Sequence, residues 1–231
     1  MGHILIRTGF CLSIFVAISA VISWIGHVDQ TPSASDIRIT RRYFGNTIKS
    51  EVFKDQVALI ASVQKRVLEL SPETRPIPNG HPREIQDLVL AHGGWCYDRS
   101  RSIEQMLRVL GFEVRHANLY QTDGKNGLVA LFTPLDPSHA VVDVKTSRGW
   151  LMVDSAAQWL PIDSHGEPLS AQELSQGTPL RVQEPAGPTK SFLSKGFVAV
   201  YGLYSRHGRF FPPYGPVPNF DIMQVLRFDL V

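Results

Sequence analysis

Cys96 stands in the run Gly93-Gly94-Trp95-Cys96-Tyr97-Asp98, just ahead of a segment whose apolar residues recur at helical spacing. A thiol in the first turn of a helix faces unpaired backbone N–H groups and the positive end of the helix dipole. Both favour the thiolate, the nucleophilic form of sulfur. A single cysteine is more often a small buried hydrophobe, so the weight rests on whether the chain also offers a base. His139 opens the Val-rich run Pro137-Ser138-His139-Ala140-Val141-Val142-Asp143-Val144, and the next run, Gly149-Trp150-Leu151-Met152-Val153-Asp154, ends in a carboxylate. Cysteine, histidine and carboxylate in this order supply a nucleophile, a proton carrier and an acid that orients the imidazole, the set that acyl chemistry requires.

The spacing of the two strand-like runs adds a geometric expectation. If Ser147 and Arg148 form the loop of a hairpin, Lys145 faces Trp150 and the numbers of facing residues sum to 295. Asp154 then lies opposite Val141, on the same face as His139 and diagonal to it, about 7 Å away at Cα. A slip of one residue would send the two side chains to opposite faces.

Other elements must carry these residues. Phe53, Val57, Ile60, Val63 and Val67 follow the period of an amphipathic helix that ends before Pro72, and Arg83 to Leu90 reads as a short helix. Ile103, Met106, Leu107 and Leu110 continue the helix that Cys96 begins, with Gly111 as the residue after its cap. From there strands are expected at Glu113 to Tyr120, Leu128 to Thr133, His139 to Lys145 and Trp150 to Asp154, divided by Asp-Gly, Pro and Ser-Arg-Gly punctuation. Helices first and strands afterwards predict an α+β fold with an antiparallel sheet. Beyond Pro161 a polar stretch gives way to Phe192, Phe197, Tyr201, Tyr204, Phe210, Phe211, Tyr214 and Phe220 among Gly and Pro, the texture of an irregular packed subdomain.

The N-terminus is of another kind. Thr8 to Gly26 contains no charged residue, about the length that crosses the hydrocarbon of a bilayer, with Arg7 before it and Trp24 suited to the interface. Ala17-Ile18-Ser19 offers a small-x-small cleavage site, so a cleaved signal peptide competes with an uncleaved anchor. The apolar run continues past that site through Val21, Ile22, Trp24 and Ile25, which favours the anchor. Arg38, Arg41 and Arg42 outnumber Arg7 and argue against export of the C-terminal part, whereas the lack of a later apolar span favours an exported domain.

In its 231 residues the chain balances 23 basic against 21 acidic side chains, without a dense Lys/Arg run, so no footprint for nucleic acid is present. Two cysteines, one of them Cys11 within the apolar run, do not make a disulfide framework. A metal hydrolase built on His81, His92, His116 or His207 finds no HExxH or comparable spacing, and no metal or other cofactor is expected.

Four segments in order, Gly94–Asp98, Leu107–Arg115, Ser138–Val144 and Gly149–Asp154, resemble the transglutaminase-like superfamily of papain-type thiol enzymes, the membrane-anchored bacterial type. The resemblance covers residues 84 to 160. It implies Cys96 as nucleophile, His139 as general base and acid, Asp154 as the orienting carboxylate, and structural roles for Asp98 and Arg115. Trp95 and Gln158 are candidates for a side-chain oxyanion donor, beside the backbone N–H of Cys96. Ser155 to Trp159 stands where the family commonly has a Pro-containing continuation, and the acidic calcium cluster of the animal enzymes has no counterpart.

The expected organisation is a signal-anchor or signal peptide at 1–27, a polar tether at 28–48, a papain/transglutaminase-like catalytic core at 49–165 and an aromatic C-terminal extension at 166–231 packed on the core. The expected activity is hydrolysis of a peptide or amide bond of an envelope substrate through a thioester. A catalytically silent binding or assembly module of the envelope is the alternative.

Overall fold

The computed structural model describes residues 26–78, 83–133, 137–177, 187–204 and 219–226, together with 14, 16–21 and 24 near the N-terminus. These form helices α1 (Ala34–Phe44), α2 (Phe53–Leu70), α3 (Ile85–Ala91) and α4 (Cys96–Val109). Strand β1 (Val114–Gln121), helix α5 (Gly127–Phe132), and strands β2 (Ser138–Lys145) and β3 (Trp150–Val153) follow. Helices α6 (Ala171–Ser175) and α7 (Pro188–Lys195), strand β4 (Phe197–Tyr201) and helix α8 (Ile222–Leu226) complete the order. The fold is α+β, and its sheet is antiparallel with strand order β3-β2-β1-β4.

β2 and β3 pair in the register that the Ser147-Arg148 loop predicts, with Lys145 opposite Trp150 and Val142 opposite Val153. On one face of the sheet Val142, Val144, Leu151 and Val153 pack with Ile60, Val63 and Val67 of α2, Leu88 of α3, and Ile103, Met106 and Leu107 of α4. On the other face Leu119, Val141 and Met152 pack with Trp159, Leu169, Leu174 and Phe192. α4 is buried nearly all round, so its polar side chains need partners inside the protein. Its C-terminus closes as a Schellman motif: Gly111 has φ +91°, Phe112 N–H donates to Leu107 C=O at 3.0 Å and Gly111 N–H to Arg108 C=O at 3.0 Å.

Three expectations are corrected. The polar tether expected at 28–48 contains α1, because Ser33 caps it and Asp36 reciprocates from the third position in a capping box. Asp36 is buried and its second oxygen accepts from Ile85 N–H at 3.0 Å, which fastens α1 to the start of α3. The strand expected at Leu128 to Thr133 is helix α5. Its buried and half-buried residues, Gly127, Ala130 and Leu131, follow helical spacing, and the Asn126 side chain caps it by accepting from Leu128 N–H at 2.9 Å. The core expected to end at 165 does not end there, since β4 of the extension expected only to pack on it pairs with β1 and completes the sheet.

The apolar run 8–26 lies in part outside the described residues. Those of its residues that are described, 14, 16–21, 24 and 26, are helical. No helix among the described residues is long and apolar enough to cross a membrane.

Candidate active site

Cys96 is the first residue of α4 and is half-buried with a free thiol. The glycines before it answer a packing demand. A Cβ on Gly93 would lie 2.7 Å from Arg75 Cγ and one on Gly94 2.9 Å from Leu88 Cδ1, so only bare backbone fits as Gly94 N–H donates to Glu73 C=O at 3.0 Å. Asp98 then fixes the helix start. Fully buried, it accepts from the N–H groups of Trp95 at 3.1 Å and Ile77 at 3.2 Å and pairs with the Arg83 guanidinium. The role of Asp98 is thus to hold the turn that carries the thiol. Arg115 is likewise structural: it pairs with buried Asp143 at 3.1 Å and lies between the rings of Trp150 and Tyr201.

Cys96, His139 and Asp154 come together. His139 is buried at the start of β2, and its Nε2 is 2.9 Å from Asp154 Oδ1. The imidazole also interacts with the Cys96 thiol, and with Nε2 engaged by Asp154 the nitrogen left to serve the thiol is Nδ1. Burial pushes the Cys96 thiol up, but the hydrogen bond and charge of His139, with backbone N–H groups of Ala140 and Tyr97, outweigh it and hold the thiol below its ordinary value. Burial likewise pushes His139 down, and its bonds to Asp154 and Cys96 overcome this and raise it to about 10. Burial opposes ionisation of Asp154 as well; His139 and two hydrogen-bond donors keep it below the usual carboxylate range. All three shifts run in the direction that favours a thiolate–imidazolium pair with an ionised carboxylate behind it.

The donors to Asp154 are Ala156 N–H, at 2.8 Å to Oδ1, and the hydroxyl of Thr189, to Oδ2. Gln64 of α2 clamps the turn that follows: its Nε2 donates to the carbonyls of Asp154 at 2.8 Å, Ala157 at 2.9 Å and Trp159 at 2.9 Å. Ser155 Oγ donates to Ala140 C=O at 2.6 Å, which ties the acid's strand to the histidine's. The Phe192 ring sits 5.9 Å from the His139 ring, covering it.

Thr189 and Gln64 escaped the sequence reading, which named Phe192 only as one of the C-terminal aromatics. Gln64 did carry a signal, a polar residue on the buried stripe of Ile60, Val63 and Val67. Thr189 carried none, because only the fold brings α7 back to β3. Trp95 stays beside the thiol, half-exposed, with its ring edge-on to Tyr97 at 5.8 Å. Gln158 does not join it. Its side chain is exposed and lines a depression with Ala61, Ser62 and Lys65 of α2, because the turn clamped by Gln64 faces that helix. Of the histidines weighed as metal ligands, His92 is an exposed helix cap and His116 is buried beneath Tyr204, while His81 and His207 lie outside the described residues.

Comparison with models of known protein families and with curated proteins returned no match.

Proposed function

We propose that this chain is a thiol-dependent acyl-transfer enzyme that hydrolyses an amide or peptide bond. The observation that carries the reading is the convergence of Cys96, His139 and Asp154, with His139 Nε2 bonded to Asp154 at 2.9 Å, the thiol interacting with the same imidazole, and the sulfur at the start of α4. A buried imidazole that meets a thiol and is hydrogen-bonded through Nε2 to a carboxylate is poised to carry a proton, which a merely structural histidine is not asked to do.

In this reading the Cys96 thiolate attacks the carbonyl carbon and the carbonyl oxygen takes the negative charge. The first backbone N–H groups of α4 stabilise that oxygen, with the Trp95 indole as the side-chain candidate. The imidazolium of His139 protonates the departing amine as the C–N bond breaks, which leaves a thioester and a neutral imidazole. His139 then takes a proton from water as the water oxygen attacks the thioester. The acid departs and the thiolate–imidazolium pair is restored. Asp154 keeps Nε2 protonated and the ring aimed at sulfur throughout.

The resemblance to the transglutaminase-like superfamily agrees with this chemistry, since the three residues it singles out are those that meet in space. The uncharged run at 8–26 supports a membrane-anchored enzyme with an exported domain, acting on an amide-containing envelope substrate.

Thiol alkylation tests the reading. Cys96 should react faster than a free cysteine at pH 6 to 7, whose thiol has a pKa of about 8.5. His139→Ala should slow the reaction strongly there and little at pH 9.5, where an unassisted thiol ionises by itself. Equal rates in both proteins across that range would show an uncoupled thiol and would favour a silent binding module.

A further inference from the structure

The apolar N-terminal run ends at a particular place on the folded domain. Gly26 C=O accepts from Phe220 N–H at 2.9 Å, and His27 bridges to Phe220, two residues before α8 begins. α8 exposes Ile222, Met223 and Val225. Val225 in turn shares a cavity of about 460 Å³ with Leu128 and Leu131 of α5 and Val198, Val200 and Tyr201 of β4. Beyond that cavity α5 exposes Leu128 at 68%, Val129 at 54% and Phe132 at 76%. Neither 126–135 nor 222–226 contains a charged residue. The described residues of the N-terminal run are helical, and Trp24 is 81% exposed.

Single exposed hydrophobes are ordinary, but a contiguous uncharged apolar surface marks something that covers it. Here α8 joins the end of the apolar N-terminal run through the Phe220–Gly26 hydrogen bond, while Met223 also borders Glu113, Arg115 and Asp221, and this junction with the apolar run identifies the cover. We infer that the α5–α8 face lies against the lipid bilayer. The domain is then seated on the membrane surface with these side chains in the headgroup–acyl boundary, where an apolar face typically sinks about 5–10 Å. The cavity opens on that face. Register pairing places Ala199, on its wall, two strands across the sheet from His139, through Leu119. At strand spacing this is about 10 Å between backbones, with the Val198 and Val200 side chains of the cavity on the sheet face opposite to that of His139.

The inference rests on the membrane reading of the N-terminal run and is tested separately from it. Single cysteines at positions 24, 132, 223 and, as a solvent-facing reference, 65 are placed in the full chain with Cys11→Ser and Cys96→Ser. They carry an environment-sensitive fluorophore in phosphatidylcholine–phosphatidylglycerol vesicles doped with acyl-chain nitroxide quenchers. Labels at 132 and 223 should shift to the blue and be quenched about twofold or more, with no change at 65. Quenching at 24 with 132 and 223 behaving like 65 would overturn the seating and keep the anchor. Quenching at 132 and 223 without 24 would support the seating and remove the anchor. A shift at 132 that vanishes when copies are diluted to one per vesicle would assign the face to a second copy and overturn the inference.

Discussion

Two buried histidines sit beside buried carboxylates, and their pKa values are pushed in opposite directions. His139 contacts Asp154 at 2.9 Å and meets a thiol on its other nitrogen, and its pKa rises to about 10. His116 lies 3.8 Å from Glu104, stacked on Tyr204 with ring centroids 4.3 Å apart, and its pKa falls to about 4. Burial disfavours the cation at both. The difference lies in what each carboxylate already does. Among the described residues, Asp154 is met by hydroxyl and N–H donors and by one cation, His139. Glu104 accepts from Arg108 at 3.0 Å, lies 3.6 Å from Arg101 and accepts the Tyr204 hydroxyl. Its charge is spent, and Arg101 repels a second positive group. Neither ring nitrogen of His116 has a hydrogen-bond partner among the described residues. A carboxylate beside a histidine therefore makes an imidazolium only where nothing else neutralises it.

The strongest way to break this comparison is to remove the charged imidazole. His139→Ala should lower acyl transfer by on the order of 10⁴-fold or more, because the proton carrier of both half-reactions is lost. Release of nitrophenol from an activated ester measures it; a drop below tenfold would place His139 outside the chemistry.

Next in size is the other carboxylate. Glu104→Gln removes the buried carboxylate that Arg101 and Arg108 share and should destabilise the fold by about 3–5 kcal/mol in urea unfolding. Alkylation of Cys96 in the protein that stays folded should keep its wild-type rate, since Glu104 belongs to the other cluster. If Glu104→Gln is as stable as wild type, the cluster does not hold the N- and C-terminal segments on α4.

The two histidines also predict opposite pH windows. A raised folded pKa means that His139 contributes stability below its unfolded value of about 6.5 and loses it as pH climbs through its folded value. A lowered one means that His116 stays neutral while the unfolded chain takes up its proton. Stability should then fall by about 3 kcal/mol as pH drops from 6.5 towards 4. His116→Phe, which keeps the stack on Tyr204, should flatten that acid loss in thermal or urea unfolding at pH 4 to 7. An unchanged acid slope would assign the loss to carboxylates instead.

How much of this was legible in the sequence differs between the two clusters. The triad was readable because its members sit at marked places: a helix start after paired glycines, the head of a Val-rich strand, and the end of a hairpin whose two-residue loop fixes the register. The Glu104 cluster was not. Its parts come from β1, α4, residue 30 and residue 204, and the apolar stripe that reveals a helix's core face does not tell which polar residues on its other sides will be buried as well. The tether at 28–48 was misread for a related reason. Its capping box was present as Ser33 and Asp36, but the segment's polarity outweighed a signal only four residues long. Leu128 to Thr133 shows the reverse case, an apolar run too short for periodicity to separate strand from helix.

The smallest effect tests how the triad's acid is kept free of other charges. Thr189, on α7, gives Asp154 Oδ2 a hydroxyl donor while Oδ1 serves His139 and Ala156 N–H. A neutral donor stabilises the carboxylate without neutralising it, which is what separates Asp154 from Glu104. Thr189→Val should remove about 1 kcal/mol of that support and lower kcat roughly fivefold with KM unchanged. Asp154, whose pKa is depressed in the fold, should then protonate at higher pH, so the acid limb of the kcat profile should move upward. Thr189→Ser, which restores the hydroxyl with less packing, should recover both the rate and the limb. If Thr189→Val lowers stability but leaves the acid limb in place, the residue packs α7 against β3, and the polarisation of the triad comes from Ala156 N–H and His139 alone.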